Sequence, residues 1–209
     1  KLGELSKRLD INQSTCYRLL HTLTHMSYLN YDIETKTYSL GSYLVVLGKK
    51  AEEFIDYIPI VKKYLKQFVL LTKNTTALVQ RIGNEWVYVD KEEPSTPVRV
   101  TINIGQSFKL NSGATGKLFL AYMEPRERER IIDELGLIPF TDKTITDREE
   151  FNRELEKVRK KNYSVSLEEH YPGIDGISVP IFDRHGKVQM AITTVVVHTK
   201  KNKKEFEQI

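Results

Sequence analysis

The spacing of apolar residues changes character at Thr75, and no all-helical or all-strand fold accommodates both patterns. Before that point, Leu2, Leu5, Leu9 and then Cys16, Leu19, Leu20, Leu23 recur at helical intervals. After it, TALVQRIGNEWVYVDKEE alternates apolar and polar residues about a Gly83-Asn84 turn, the pattern of two paired strands. VRVTINIG is expected to add a third strand. NSGATGKLFLAYM, PRERERIIDEL and a segment from Asp147 to Asn162 read as helices, the last opened by a capping box of Thr146 and Glu149. YSVSLEE, DGISVPIFDRHG and KVQMAITTVVV return to alternation, the last two joined as a hairpin across Asp183 to Gly186. Strands, helices and strands again predict an α+β domain on a six-stranded antiparallel sheet, preceded by a smaller helical domain.

NSGATGKLFLAY, with two glycines and a lysine ahead of an apolar run, raises the question of a nucleotide-binding loop. The spacing excludes it. Asn111 stands where the first glycine of a P-loop belongs, and Leu118 where the magnesium-binding hydroxyl would be. Small residues leading into a helix still leave unpaired N–H groups that suit a small anion. The single cysteine, Cys16, rules out an internal disulfide and a cysteine-based zinc site, and the five histidines show no metal-ligand spacing. The longest apolar runs are about half a membrane span, so a soluble, cytoplasmic chain without cofactor or membrane partner is expected. The net charge is +4, and the first fifty residues hold seven basic side chains against four acidic ones. That concentration points toward a polyanion partner.

Within those fifty residues, the break at Asp10-Ile11-Asn12 separates two short helices, and Asn12 is suited to cap the second. This is the pattern of a helix-turn-helix. The face opposite the apolar stripe carries Gln13, Ser14, Tyr17, Arg18 and His21, with no carboxylate. Such side chains contact phosphates and base edges. YLNYDIETKTYSL then reads as a β-hairpin with Lys36 near its tip, a wing beside the second helix.

The stretch ELSKRLDINQSTCYRLLHTLTHMSYLNYDIETKTYSLGSYLVVLG resembles the DNA-binding domain of the IclR family of transcription regulators. The residues that carry the likeness are Ser14, Thr15, Arg18, Leu19, Leu20, Thr22, Leu23, Asp32, Glu34, Thr35, Tyr38, Leu40 and Gly41. The family usually has one more helix before this point. The resemblance implies a winged helix-turn-helix over residues 1–41, a linker helix over 42–58 and a GAF-like effector-binding domain over 59–209. In the linker, Leu44, Leu47, Ala51, Phe54 and Ile55 form one stripe, and Pro59 is expected to interrupt the helix before a second run from Ile60 to Thr72. The KKNKK run near the C-terminus reads as a solvated end.

By that resemblance, Ser112, Gly113, Ala114 and Thr115 form one wall of a small-molecule pocket, near a ligand carboxylate. Glu168, Glu169, Gly173, Ser178, Pro180, Ile181, Phe182 and Asp183 match a second pocket segment. Ser166, Leu167 and Gly176 stand where many members carry Asp and Cys, which points to a larger or more apolar ligand, or to none. His170 and Asp175 are the nearest polar substitutes. The expected effector residues are therefore Ser112, Gly113, Ala114, Thr115, Glu169, Gly176 and Ser178, and the expected ligand is an organic acid or an aromatic compound. For DNA, Gln13, Ser14, Tyr17 and Arg18 are expected to read the major groove, His21 to lie on the same face, and Thr15 and Lys36 to meet phosphate. Double-stranded DNA bound by a homodimer or a dimer of dimers is the expected assembly. Two alternatives stand beside this reading: a ligand-independent regulator whose second domain serves assembly, and an enzyme built on Glu168, Glu169, His170 and Asp175. No Ser/His/Asp spacing or metal set supports the second.

Overall fold

The computed structural model describes residues 1–53 and 57–199. The chain divides into two compact units, one from Lys1 to Ile58 and one from Pro59 onward. In the first unit, α1 (Leu2–Arg8) and α2 (Gln13–His25) are joined by a tight turn. Asn12 caps α2, its side-chain oxygen accepting from the Thr15 N–H at 2.8 Å. Cys16 and Leu20 are buried, but Leu19 and Leu23 are 52% and 39% exposed. The expected apolar stripe is therefore only half covered, because it is wider than the surface that α1 and the wing offer this helix.

The wing is β1 (Leu29–Asp32) paired antiparallel with β2 (Thr37–Leu40), Leu29 opposite Leu40 and Tyr31 opposite Tyr38. At its turn the Asp32 carboxylate accepts from the N–H groups of Glu34 and Thr35 at 2.8 and 3.0 Å. These bonds hold that carboxyl below its usual range, with no contribution from burial to its favour. Gly41 closes the unit by donating its N–H to the Tyr28 carbonyl at 2.8 Å. Helix α3 (Tyr43–Glu53) follows. Leu47 and Ala51 of the expected linker stripe are exposed, and Phe54, Ile55 and the KKNKK run lie outside the described residues.

Helix α4 (Tyr57–Thr72) crosses the boundary between the units and starts before Pro59 rather than after it. Proline sits without cost in a first helical turn, where its missing N–H has no intrahelical acceptor. The sheet is antiparallel in the order β5-β4-β3-β8-β7-β6. Its strands are β3 (Thr75–Ile82), β4 (Glu85–Glu92), β5 (Ser107–Lys109), β6 (Ser164–Leu167), β7 (Ile174–Phe182) and β8 (Val188–Val197). Helices α5 (Gly113–Tyr122), α6 (Pro125–Leu135) and α7 (Arg148–Lys161) pack with the sheet into one core, in which Phe119, Ile131 and Phe151 meet Val79 and Ala191.

Two local expectations fail for identifiable reasons. VRVTINIG is not a strand; the third strand is the short β5, two residues farther on. The alternation in that segment reflects an extended loop that buries Ile102, its carbonyls taken by side chains: Thr75 Oγ1 donates to Val100 O and Lys91 Nζ to Ile102 O. The cap of α7 is Asp147, whose carboxylate accepts from the Glu150 N–H at 2.8 Å, one position beyond the expected Thr146. An aspartate held at the cap is favoured there by charge as well as hydrogen bonding.

Candidate DNA-contact surface and ligand cavity

Helix α2 presents Gln13, Ser14, Thr15, Tyr17, Arg18 and His21 to solvent, and its sequence contains no acidic residue. The Ser14 hydroxyl donates to Asn12 Oδ1 at 2.8 Å, so part of its capacity serves the cap. Lys36 sits at the wing turn in a left-handed conformation, φ 53°, and is exposed. Tyr17, His21 and Lys36 come together along one cleft with Tyr31 and Tyr38 of the wing. Gln13, Ser14, Thr15 and Arg18 lie on the exposed helix outside that cleft. Tyr31 and Tyr38 were not expected there; their rings lie 4.8 Å apart as a cross-strand pair, a contact set by hairpin register.

In the second unit a cavity of about 310 Å³ lies between the start of α5 and the sheet. Ser112, Gly113, Ala114, Thr115 and Gly176 line it, five of the seven expected effector residues. Ser178 does not line the cavity but lies fully buried beside it, in a triangle of hydroxyls with Thr115 and Thr193 at 2.8–3.0 Å. Three hydroxyls can each donate to the next, so this buried polar cluster is internally satisfied.

Glu169 is the clear departure. It is absent from the cavity wall, and its carboxylate meets Lys117 Nζ at 2.5 Å. Lys117 is 1% exposed and also donates to the Val165 carbonyl at 2.7 Å, with Glu154 at 3.7 Å. Burial pushes the Glu169 carboxyl above its ordinary range while Lys117 draws it back. The lysine of the SGATGK motif is therefore spent on an internal ion pair. Gly116 of the same motif serves packing, since a Cβ there would lie 2.5 Å from the Leu110 carbonyl oxygen.

Asp175 is among the residues that line the cavity, but its carboxylate is engaged elsewhere. It pairs with Val196 in the ladder while Gly176 pairs with Val195, so strand alternation sends its side chain to the face opposite Gly176. There it is fully buried against His198 Nδ1 at 2.8 Å. His170 lines the cavity too, with Nδ1 2.7 Å from Ser112 Oγ. Burial lowers its pKa and so favours the neutral imidazole. The remaining walls are aromatic and were not foreseen: Trp86, Tyr88, Phe108 and Tyr171. Phe108 stacks on Trp86 at 4.6 Å and meets His170 edge-on at 5.3 Å. Burial pushes the Tyr88 hydroxyl far up, so it stays protonated.

Two family models match the chain: "Bacterial transcriptional regulator IclR C-terminal" over residues 51–209 and "IclR helix-turn-helix domain" over residues 1–32. The HTH-type transcriptional regulator KdgR of Dickeya chrysanthemi is 33% identical over 187 residues, covering 90% of this chain and 61% of that protein. KdgR of Escherichia coli K12 is also 33% identical over 187 residues, and there 71% of the relative is covered. The HTH-type transcriptional repressor AllR of the same strain is 28% identical over 192 residues, covering 92% of this chain and 71% of AllR. Among solved structures, an IclR transcriptional regulator from Alicyclobacillus acidocaldarius superposes with a TM-score of 0.81 at 33% identity, covering 100% of this chain and 85% of that one. The Thermotoga maritima IclR protein gives 0.71 at 27%, with the same coverage.

Proposed function

The chain belongs to the IclR family of transcriptional regulators, and from that membership and the two sites above we propose that it binds double-stranded DNA through α2 and the wing and is controlled by a small molecule held in the cavity. The observation that carries the first half is the exposed, carboxylate-free face of α2, rigidly capped and set beside the wing. Arg18 is the side chain best suited to base readout, because its planar fork can bond a guanine edge at two points. One short helix covers only a half-site, so the active species is a homodimer or a dimer of dimers on half-sites about one helical turn, or a multiple of it, apart. Relatives named as regulators and repressors support regulation rather than turnover.

The second half rests on an aromatic-walled cavity whose polar edge is a helix N-terminus, a setting for an organic acid or an aromatic compound. Control would follow from differential affinity of that ligand for two conformations of the assembled regulator. No described helix is long and apolar enough to cross a membrane. An Arg18→Ala variant is expected to lose about 1–3 kcal/mol on its operator and much less on random DNA, read by fluorescence anisotropy. An equal loss on both would make Arg18 a phosphate contact instead.

A further inference from the structure

We propose that His198 is a positioning residue: its protonated imidazole clamps the cavity loop 168–173 onto the sheet, and its neutral form releases it. Access to the cavity then follows pH, whatever the cavity holds.

His198 follows β8 and stands between two carboxylates. Its Nδ1 lies 2.9 and 2.8 Å from the two oxygens of Asp175, which is fully buried. Its Nε2 lies 3.5 Å from Glu168 Oε2. A neutral imidazole has one N–H to give. The buried carboxylate takes it, because an unpaired buried charge is the costlier of the two, and a lone pair is left facing Glu168. The protonated ring donates to both carboxylates and sets a positive charge between them. Lys143, and then the Gly173 N–H, hold the Glu168 carboxyl below its usual range, so it faces His198 as an anion. The described charged groups at this centre are Asp175 from β7, Glu168 from the loop, and Asp142 and Lys143 from the segment 141–144. With the ring neutral, Lys143 is the one cation among them.

The loop carries His170 and Tyr171 into the cavity wall. Glu168 opens it in a left-handed conformation, φ 59°, which a non-glycine residue keeps only where its surroundings hold it. The Glu168 carboxylate accepts from the Gly173 N–H at 2.9 Å, so it also closes the loop on itself. The Thr141 and Thr144 hydroxyls donate to the Glu168 and Glu169 carbonyls at 2.8 and 2.6 Å, but they tie the loop to another loop. Side chains that tie it to helix or sheet are Lys117 at Glu169, Ser112 at His170 and His198 at Glu168. The first two hold its middle against α5, and His198 holds its outer end. Histidine is the side-chain type that changes charge between about pH 5 and 8. Release of Glu168 reaches the aromatic wall through His170, which meets Phe108 at 5.3 Å, and Phe108, which stacks on Trp86 at 4.6 Å.

The test uses the full chain and acrylamide, a small neutral quencher, with Trp86 as reporter. Trp86 is the sole tryptophan, is 7% exposed and lines the cavity. The quenching constant is expected to rise about twofold in one step as pH goes from about 5 to 8. His198→Gln, which carries no charge, is expected to lack the step and stay at the high value. His198→Arg, always charged and able to reach both carboxylates, is expected to stay at the low value throughout. A histidine that only fills space would leave the two variants alike, and that result overturns the inference. Glu168→Gln keeps the Asp175 pair and is expected to lose the step, which keeps the test decisive should a His198 variant misfold. A wild type without the step, or a step retained in His198→Gln or in Glu168→Gln, also overturns it. A retained step that disappears in His170→Gln would belong to the cavity histidine, whose pKa burial lowers.

Discussion

Lys117→Met is expected to destabilise the second unit by about 3–5 kcal/mol, the penalty for stranding one partner of a buried ion pair. Lys117 is 1% exposed, and its loss leaves Glu169 and the Val165 carbonyl without their donor. Burial already pushes the Glu169 carboxyl upward, and Lys117 is what opposes that push. In the variant, the folded-state pKa of Glu169 therefore lies further above its unfolded value. The sign of the pH effect follows. The destabilisation is smallest in acid, where the carboxyl is protonated in both states, grows as pH rises past the unfolded pKa, and is complete above the raised one. Urea melts of wild type and variant at acid and neutral pH, read from Trp86, measure both the size and the slope. The thermal midpoint should fall by on the order of 10 °C at neutral pH. Replacing both partners, Lys117→Met with Glu169→Leu, is expected to recover most of the loss, because a matched apolar pair has no charge to desolvate. A double variant as unstable as the single one would mean that the site depends on the ion pair's geometry rather than on charge balance.

The second large effect is expected at Gly41, where the wing returns to the body of the first unit. A Cβ at this position would lie 2.2 Å from the Ser27 carbonyl oxygen and 2.8 Å from two neighbouring backbone carbons. Both sides of the clash are backbone, so the hairpin itself must move. That movement breaks the Gly41 N–H bond to the Tyr28 carbonyl and disturbs the edge-on contact of Tyr28 with Tyr43. Gly41→Ala is expected to cost about 1–3 kcal/mol in the first unit and to displace Lys36 and Tyr31 from α2. DNA affinity should drop sharply while quenching of Trp86 in the second unit is unchanged. Retained DNA affinity would show that the wing contributes little to binding.

How much of this was legible in the sequence differs between the two sites. The exposed polar face of α2 was readable because it depends on neighbours along one helix: Asn12 caps three residues away, and Gln13, Tyr17 and Arg18 follow helical spacing. The cavity was readable only at its α5 edge. Its aromatic walls come from β4, β5 and the 168–173 loop, where Trp86, Tyr88 and Phe108 look like ordinary inward-facing strand residues. Which of them line a void rather than fill the core is decided by packing, which periodicity does not encode. Glu169 illustrates the converse. A lone acid beside a pocket motif suggests a ligand contact, but its partner Lys117 stands 52 positions earlier and only folding brings the two together. Asp175 and Gly176 differ by one residue and face opposite sides of β7, so a small error in register reverses their roles.

Binding of the full chain to DNA from upstream of its own gene, compared with scrambled DNA by fluorescence anisotropy across a range of salt, tests the central claim most directly. Saturable binding that prefers the upstream sequence, and keeps that preference as salt weakens both, is the predicted result. Weak binding that is equal on the two DNAs and vanishes with salt, or no binding to either, would contradict it.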